Sequence, residues 1–262
     1  MKINVMTLCT GYEYSIYHRF VGSLYDTGFS GLCYIFCQES DLPNIEKLKE
    51  VYPNVVGVLC DLSRFHIHMQ SSRFKFMAEY LEQNQIDCDY FFICDSRDVL
   101  FQKNIEEYPL KGDLYAFEEE KMIGDCPFNS CWINDVERSI QMPLYIRDKS
   151  IICSGTIFVS KSSALSYLNK MSEILLNGPF IKYTGCDQGV HNYICHTNPL
   201  GLDIQFSSNT DNLVNTIGYG HKEVSGNKIV NRLGDVSYVA HQYDRMSLEQ
   251  QQEISVKYNF CI

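Results

Sequence analysis

The sequence lacks the features that mark nucleic-acid-binding, membrane-spanning and zinc-binding chains. It holds 22 Lys and Arg against 32 Asp and Glu, a net charge of −10, and no Lys- or Arg-rich run, so we expect no nucleic-acid partner. No window reaches the roughly 18 apolar residues of a membrane helix. The chain also begins without a signal-peptide pattern, and no CxxC pair suggests a zinc site. We therefore expect a soluble, cytoplasmic protein without a membrane span.

Cysteine, by contrast, is abundant, with 12 residues in a chain of 262. The cysteines are scattered, and several lie inside apolar runs, among them Cys33, Cys37 and Cys94. Disulfide frameworks are typical of small secreted domains, whereas this chain is long enough to bury a substantial core with its 45% hydrophobic content. We expect reduced, mostly buried thiols.

Strands and helices alternate through the first half of the chain. Apolar runs rich in β-formers predict strands at 3–9, 33–37, 55–59 and 90–94. Apolar residues at helical spacing predict helices over 17–24, 43–48 and 74–81. Such βαβ alternation builds an α/β fold with a mostly parallel central sheet covered by helices on both faces.

The second half is predicted to be less regular and to end in β structure. Pro109, Pro127 and Pro143 interrupt residues 102–150, where we expect mobile or acceptor-contacting segments. The elements predicted after them are a strand at 151–160, a helix over 165–175, a short helix near 187, a hairpin turning at Gly226-Asn227 and a last strand at 236–240.

Two carboxylates, Asp95 and Asp98, follow the strand at 90–94 directly. Ligands of open α/β sheets bind at the carboxyl ends of the strands. Two neighbouring acids there repel each other unless a cation lies between them, so a divalent metal that holds a phosphate explains the pair. In the alternative, Asp95 caps the next turn and Asp98 pairs with Arg97.

The loop after the first strand is a candidate for holding a nucleotide. It runs from Thr7 through Thr10 and Gly11 to Tyr12. Gly11 permits close approach of the backbone to a ligand, and the Tyr12 ring can stack on a base.

Five motifs follow one another along the chain. They are Arg73 on the helix before the acids, Asp95-Ser96-Arg97-Asp98, Ser154-Gly155-Thr156, the Asp187-Gln188 segment through Asn192, and His241 after the last strand. In this order they resemble nucleotide-sugar glycosyltransferases of the GT-A fold, most closely the glycogenin and lipopolysaccharide-galactosyltransferase type. The resemblance implies a single domain over 1–262, with a nucleotide-binding half at 1–101, an acceptor-binding half at 102–262 and a smaller β-rich C-terminal part.

The resemblance also implies an activity. A sugar would pass from a nucleoside-diphosphate sugar, with UDP the expected nucleotide, to a hydroxyl of a glycan or glycoprotein, with retention of anomeric configuration. Asp95, Asp98 and His241 would hold Mn²⁺ or Mg²⁺. Asp187 would bind donor hydroxyls or accept the acceptor proton, and Gln188 would lie beneath the anomeric carbon. The donor-binding residues would be Thr7, Thr10, Gly11, Tyr12, Arg73, Asp95, Ser154, Gly155 and Arg245.

The sequence departs from the family pattern in four places. Where the family has Asp-x-Asp, this chain has Asp95-Ser96-Arg97-Asp98, so either one residue is inserted or Asp98 binds the metal while Asp95 reaches the ribose or a metal-bound water. Cys153 stands where the family has Asn, and Gly189 replaces the third residue of Asp-Gln-Asp. The late Lys-Pro-Trp is missing, which leaves Arg245 as the candidate for neutralising phosphate charge.

Each functional interpretation has a structural alternative. Arg73 can lie on a solvated helix face, Asp187 can be a helix N-cap, and His241 can be a hydrogen-bonded surface histidine. Trp132, the only tryptophan, is either a platform for an acceptor sugar or part of the core. His66, His68, His191, His196 and His221 are interpreted as structural.

Two other classes of protein remain open. A metal-dependent nucleotidyltransferase or phosphohydrolase also uses carboxylates at strand ends, although residues 7–12 contain one Gly and no Lys or Arg. A non-catalytic nucleotide-sugar- or glycan-binding protein would keep the pocket without transferring a sugar.

Overall fold

The computed structural model describes residues 1–179, 181 and 183–255, through which strands and helices alternate. Its strands are β1 (Ile3–Leu8), β2 (Cys33–Cys37), β3 (Val55–Leu59), β4 (Tyr90–Cys94), β5 (Val99–Phe101), β6 (Leu114–Met122), β7 (Ser150–Ser160), β8 (Ile204–Ser207), β9 (Val214–Thr216), β10 (Glu223–Ser225), β11 (Lys228–Val230) and β12 (Val239–His241). Its α-helices are α1 (Tyr14–Tyr25), α2 (Leu42–Lys49), α3 (Met69–Gln83), α4 (Pro127–Ile140), α5 (Lys161–Asn177), α6 (Cys186–Thr197) and α7 (Leu248–Ser255).

Seven of the described strands form one sheet in the order β3-β2-β1-β4-β7-β6-β8. Neighbours among β1 to β4 are parallel, and β6 and β8 are parallel to each other. Only β7, within the described residues, runs against its neighbours in this sheet. The predicted α/β fold with a mostly parallel sheet flanked by helices is confirmed.

Strand β4 separates two hydrophobic clusters, one on each face of the sheet. Phe91 and Ile93 belong to the cluster that contains α3 and α5 residues, and Phe92 belongs to the cluster that contains α1 residues. The Phe92 ring stacks on Phe158 of β7 with centroids 4.2 Å apart. Packing on both faces fixes β4, and it therefore fixes the position of Asp95, the residue that follows it.

A second sheet, β5-β12-β9, accounts for much of the β-rich C-terminal part. In its register His241 lies opposite Val99, the residue after Asp98. The backbone N–H of Gln242 also donates to the Asp98 carbonyl at 2.8 Å. This pairing brings His241 and Gln242 to the acidic end of β4. The β10 and β11 strands form the predicted hairpin, with Ser225 paired to Lys228.

The prediction of an irregular segment over 102–150 was wrong in two places. Leu114–Met122 is a nine-residue strand, and Pro127–Ile140 is a 14-residue helix. Pro127 lies in the first turn of α4 rather than breaking it, at a position where the missing N–H costs no intrahelical hydrogen bond.

The two halves proposed from the sequence share the large sheet, since β1 to β4 come from 1–101 and β6 to β8 from 102–262. The division at residue 101 stays a prediction. Ten of the eleven cysteines in the described ranges are buried, and Cys131 is exposed. Among the helices that the structure describes, none has the length and apolarity needed to span a bilayer.

Candidate functional site

A cleft of about 260 Å³ opens where β1 and β4 end. Eleven of the thirteen residues singled out in the sequence line it, and they come from both halves of the chain. They are Thr10, Tyr12, Arg73, Asp95, Asp98, Ser154, Gly155, Asp187, Gln188, His241 and Arg245.

Asp95, Asp98 and His241 converge at one end of the cleft. The His241 Nε2 atom lies 3.7 Å from Asp95 Oδ2 and 3.9 Å from Asp98 Oδ1. One ligand atom from each residue lies within 4.8 Å of the other two. His241 is 1% exposed, and its Nε2 has no hydrogen-bond partner in the part of the chain that the structure describes. The imidazole is therefore not the solvated surface group of the structural alternative.

This donor set fits a divalent cation. The distances from Nε2 to the carboxylates exceed those of a direct hydrogen bond, whereas an ion between the three side chains would satisfy the buried Nε2. Carboxylate oxygens suit Mn²⁺ and Mg²⁺ alike, whereas an imidazole nitrogen suits a transition-metal ion such as Mn²⁺ better than Mg²⁺. Gly155 leaves the space open, because a Cβ there would lie 2.5 Å from His241 Cε1 and 2.9 Å from Asp95 Oδ2. Metal binding itself stays a prediction.

Opposing effects set the protonation of the three groups. Burial raises the pKa of Asp95, but Arg73 and His241 outweigh burial and hold that pKa below its ordinary value. Burial raises the pKa of Asp98, with Asp95 adding to the effect and His241 opposing it. Burial lowers the pKa of His241, yet neighbouring Cys153, Asp95 and Asp98 raise it overall. The cluster attracts positive charge, either a proton on His241 or a metal ion.

Arg73 links the metal-ligand candidates to the start of α6. Its side chain is buried; Nη1 donates to Asp95, and Nη2 donates to the Ser154 carbonyl at 2.9 Å and to Asp187 Oδ2 at 3.2 Å. The Ser154 hydroxyl also donates to Asp187 Oδ2, at 3.2 Å. The alternative that Arg73 lies on a solvated helix face was wrong.

Asp187 is not the N-cap of its helix. That position is held by Gly185, whose φ of 87° lies in the left-handed region where glycine carries no steric cost. Burial raises the pKa of Asp187, while Arg73 opposes the shift. The next residue, Gln188, donates from Nε2 to Asn129 Oδ1 of α4 at 3.0 Å. The sequence analysis did not single out Asn129, because it did not predict helix α4.

The loop after β1 is held by Asp41, which the sequence did not single out. Asp41 accepts hydrogen bonds from the Thr10 hydroxyl at 2.5 Å and from the Gly11 N–H at 2.9 Å. Gly11 has φ of 73°, and Tyr12 lines the cleft. Thr7 is fully buried within β1, so the structure does not bring it to the cleft. The exposed Gly11 acts on the loop through its backbone rather than as part of the cleft lining.

Arg97, one of the two residues between the acids, is held through both its backbone and its side chain. The Arg97 carbonyl accepts from Arg19 Nη2 at 2.5 Å and from the Tyr243 hydroxyl at 2.7 Å. The Arg97 side chain pairs with Asp244 at 2.7 Å and lies 4.0 Å from Asp98. Arg97 therefore pairs more closely with Asp244 than with Asp98, the partner that the structural alternative gave it.

Comparison with known proteins identifies the fold. No protein-family model and no curated protein matches the chain. A solved structure of LgtC, an active-site mutant with glutamine replaced by glutamate, matches with a TM-score of 0.62 and 9% identity, covering 95% of this chain and 93% of that one. The chain has a GT-A fold. Galactosyltransferase LgtC in complex with donor and acceptor sugar analogs also matches, with a TM-score of 0.54 and 10% identity, covering 91% of this chain and 86% of that one.

Within this GT-A fold, the residues at two departures from the family pattern contact residues of the cleft. Trp132 of α4 packs against the first turn of α6, and a Cβ at Gly189 would lie 2.9 Å from the Trp132 Cβ. An aspartate at 189 would therefore displace the tryptophan. The Cys153 sulfur lies 3.4 Å from His241 Nδ1, so the residue at the family's Asn position contacts a metal-ligand candidate.

Proposed function

We propose that this protein is a metal-dependent glycosyltransferase that moves a sugar from a nucleoside-diphosphate sugar, UDP in the first instance, to a hydroxyl of a glycan or glycoprotein. The observation that carries the proposal is the convergence of Asp95, Asp98 and His241 in a cleft of a GT-A fold, with a His241 Nε2 that has no hydrogen-bond partner among the described residues. Nucleoside diphosphates are anions, so a site built from two acids requires a cation before it can bind one.

The cleft residues have two proposed roles: some would bind the metal ion and the phosphates, and others would position the nucleoside and the sugar. Asp95, Asp98 and His241 would bind Mn²⁺ or Mg²⁺, and the ion would neutralise the charge that develops on the departing diphosphate. Arg245, which lines the same cleft, is the candidate for a second positive charge near the phosphates. Tyr12 and the loop fixed by Asp41 would hold the nucleoside.

Asp187 and Gln188 are the proposed residues at the transferred sugar. Asp187 is oriented by Arg73 and Ser154, and Gln188 is oriented by Asn129, so both side chains are fixed before a ligand arrives. The LgtC mutant that shares this fold is described as an active-site mutant at a glutamine, which supports a role for a glutamine here. Retention of anomeric configuration remains a prediction of the family resemblance.

Ligand-dependent stability tests the proposal. Thermal unfolding is measured with UDP-, GDP- and CMP-sugars, each with Mn²⁺ and each with excess EDTA. A ligand at 100 times its Kd stabilises by about 2.7 kcal/mol, and we expect this for a UDP-sugar with Mn²⁺ only. The His241→Ala variant should lose the effect, while His221→Ala, which alters the exposed pair with Glu223, should keep it.

The competing functions give different results in the same series. Equal stabilisation by UDP-sugar in EDTA would overturn the metal-dependent proposal. Stabilisation followed by no release of UDP with any acceptor would favour a non-catalytic binding protein. Release of sugar 1-phosphate instead of UDP would favour a phosphohydrolase if UMP is released with it, or a nucleotidyltransferase if the uridylyl group is transferred to the acceptor.

A further inference from the structure

Two aromatic rings form an exposed pair at the start of α4. Phe128 and Trp132 are four residues apart and therefore share one face of the helix. Their ring centroids are 6.3 Å apart, with the planes inclined by 33°. Phe128 is 69% exposed, and half-buried Trp132 lines the cleft. The pair therefore extends from the cleft onto the open surface.

We propose that Phe128 and Trp132 are a platform for two consecutive uncharged sugar units of a glycan acceptor, with Trp132 nearer the reacting hydroxyl. This inference rests on the proposed glycosyltransferase function and adds the class and minimum length of its acceptor. The C–H face of a pyranose ring packs on an aromatic face through dispersion and the ring quadrupole.

The tryptophan position is built into the fold. Gly185 and Gly189, one helical turn apart, leave the room that the indole and its backbone occupy, because a Cβ at either glycine would overlap Trp132. Gly185 is also the N-cap of α6. The indole is thus held against the turn that carries Asp187 and Gln188, so a sugar stacked on it lies next to the proposed catalytic residues.

Helix α4 also connects the platform to Gln188. Asn129 follows Phe128 directly in the chain, and its Oδ1 accepts the hydrogen bond from Gln188 Nε2 at 3.0 Å. The first turn of α4 therefore carries both the exposed Phe128 ring and Asn129, which orients Gln188. An acceptor bound to the rings would have a fixed position relative to Gln188, the side chain proposed to lie beneath the anomeric carbon.

The chemistry of the surface favours a neutral glycan over other occupants. A net charge of −10 opposes anionic membrane surfaces. Two rings also offer less contact than the roughly 800 Å² per partner of a stable protein interface. Continuity with the cleft distinguishes these rings from the isolated exposed apolar residues that occur on most proteins.

The single tryptophan of the chain makes the test direct, because its fluorescence reports only from this site. The full-length protein, saturated with UDP and Mn²⁺, is first applied to an array of neutral and charged glycans. The glycans that bind are then titrated while acrylamide quenching of Trp132 is measured. We expect a neutral glycan of two or more sugar units to protect Trp132 from acrylamide, and its monosaccharide to protect weakly.

Phe128→Ala should weaken that affinity by roughly three- to tenfold, the range of one aromatic contact. Phe206→Ala is the matched control: Phe206 is also an exposed phenylalanine with one ring neighbour, His196 at 5.7 Å, and it does not line the cleft. The control should bind the glycan as the parent does. UDP binding with Mn²⁺ should be the same in the parent and in both variants.

Three results would overturn the platform: no neutral glycan protects Trp132, only charged glycans do so, or Phe128→Ala binds as tightly as the parent. Those results with UDP binding intact would leave the proposed function standing. If the parent protein does not bind UDP in the presence of Mn²⁺, the proposed function itself is wrong. The platform proposal, which rests on that function, would then be wrong as well.

Discussion

The imidazole of His241 is held between a thiol and two carboxylates, with Nδ1 3.4 Å from the Cys153 sulfur and Nε2 facing Asp95 and Asp98. A proton on Nδ1 that is donated to sulfur leaves the Nε2 lone pair free for a cation. Cys153 is therefore expected to orient His241 for metal binding.

Replacing Cys153 tests this relationship. Removing the partner of a metal-binding histidine typically costs 10–100-fold in metal affinity, so Cys153→Ala should weaken Mn²⁺ binding by about tenfold. Cys153→Ser, which keeps an acceptor, should lose less. Free Mn²⁺ is counted by electron paramagnetic resonance. The control is Cys195→Ala, since Cys195 lies 3.6 Å from a different buried histidine, His191. Parental affinity in Cys153→Ala would show that the thiol only fills space.

A methyl group at position 155 should close the metal site. The Cβ of Gly155→Ala would lie 2.7 Å from His241 Nε2 and 2.9 Å from Asp95 Oδ2. The loss of Mn²⁺ affinity measured by calorimetry should exceed the loss produced by Gly57→Ala, whose Cβ would lie 3.0 Å from Ile45 Cγ2, away from the three metal-ligand candidates. Equal Mn²⁺ affinity in the two variants would place the cation elsewhere.

Arg73→Ala should destabilise the protein as well as inactivate it. The buried guanidinium pairs with both Asp95 and Asp187, so its removal affects the fold as well as the site. Removing one partner of a buried ion pair costs about 3–5 kcal/mol. Urea unfolding should show this loss, whereas Arg64→Ala, which breaks the more exposed pair with Glu79, should cost less than about 1 kcal/mol. Similar losses in both variants would contradict the buried network.

The sequence predicted the parts of the site that directly follow apolar strands. Asp95 follows β4, and His241 ends β12, so their positions at sheet ends could be inferred from the apolar runs before them. Their approach depends on the antiparallel pairing of β5 with β12, which no local pattern specifies. Only the family resemblance suggested that they meet.

The parts that were missed depend on long-range contacts or on an ambiguous proline. Pro127 is compatible with a loop or with a helix start, so α4 and its Asn129 were not predicted. Asp41 holds Thr10 and Gly11 from a distant turn. The burial of Thr7 follows from strand neighbours on both sides of β1, which the sequence of the loop does not reveal.

Acid should destabilise the protein through His191. Burial lowers the pKa of this histidine from 6.5 to about 3, and the Tyr167 hydroxyl lies 2.8 Å from its Nδ1. The folded-state pKa is depressed, so the stabilisation is complete above pH 6.5 and is lost as the pH falls from 6.5 towards 3. Between pH 7 and pH 5 this one group should cost about 2 kcal/mol.

The variant His191→Gln cannot titrate and keeps a hydrogen-bonding side chain. Urea unfolding at pH 7 and pH 5 should show a smaller acid-induced loss in this variant than in the parent, whatever its stability at pH 7. An unchanged loss in His191→Gln would mean that folding does not lower the pKa of His191.

Asp187→Asn separates a chemical role from a structural one. Asparagine has nearly the same shape and can still accept from Arg73 and Ser154, and Arg73 keeps Asp95 as its counter-ion. The fold should therefore persist, while the loss of the carboxylate should lower sugar transfer by roughly 10² or more if Asp187 binds donor hydroxyls or accepts a proton. Initial rates of UDP release with acceptor measure the effect on transfer, and circular dichroism measures the effect on the fold.

Asp113→Asn is the control, because Asp113 accepts hydrogen bonds from Ser160 and Ser163 outside the cleft. A parental rate in Asp187→Asn would leave Asp187 as a partner of Arg73 and nothing more.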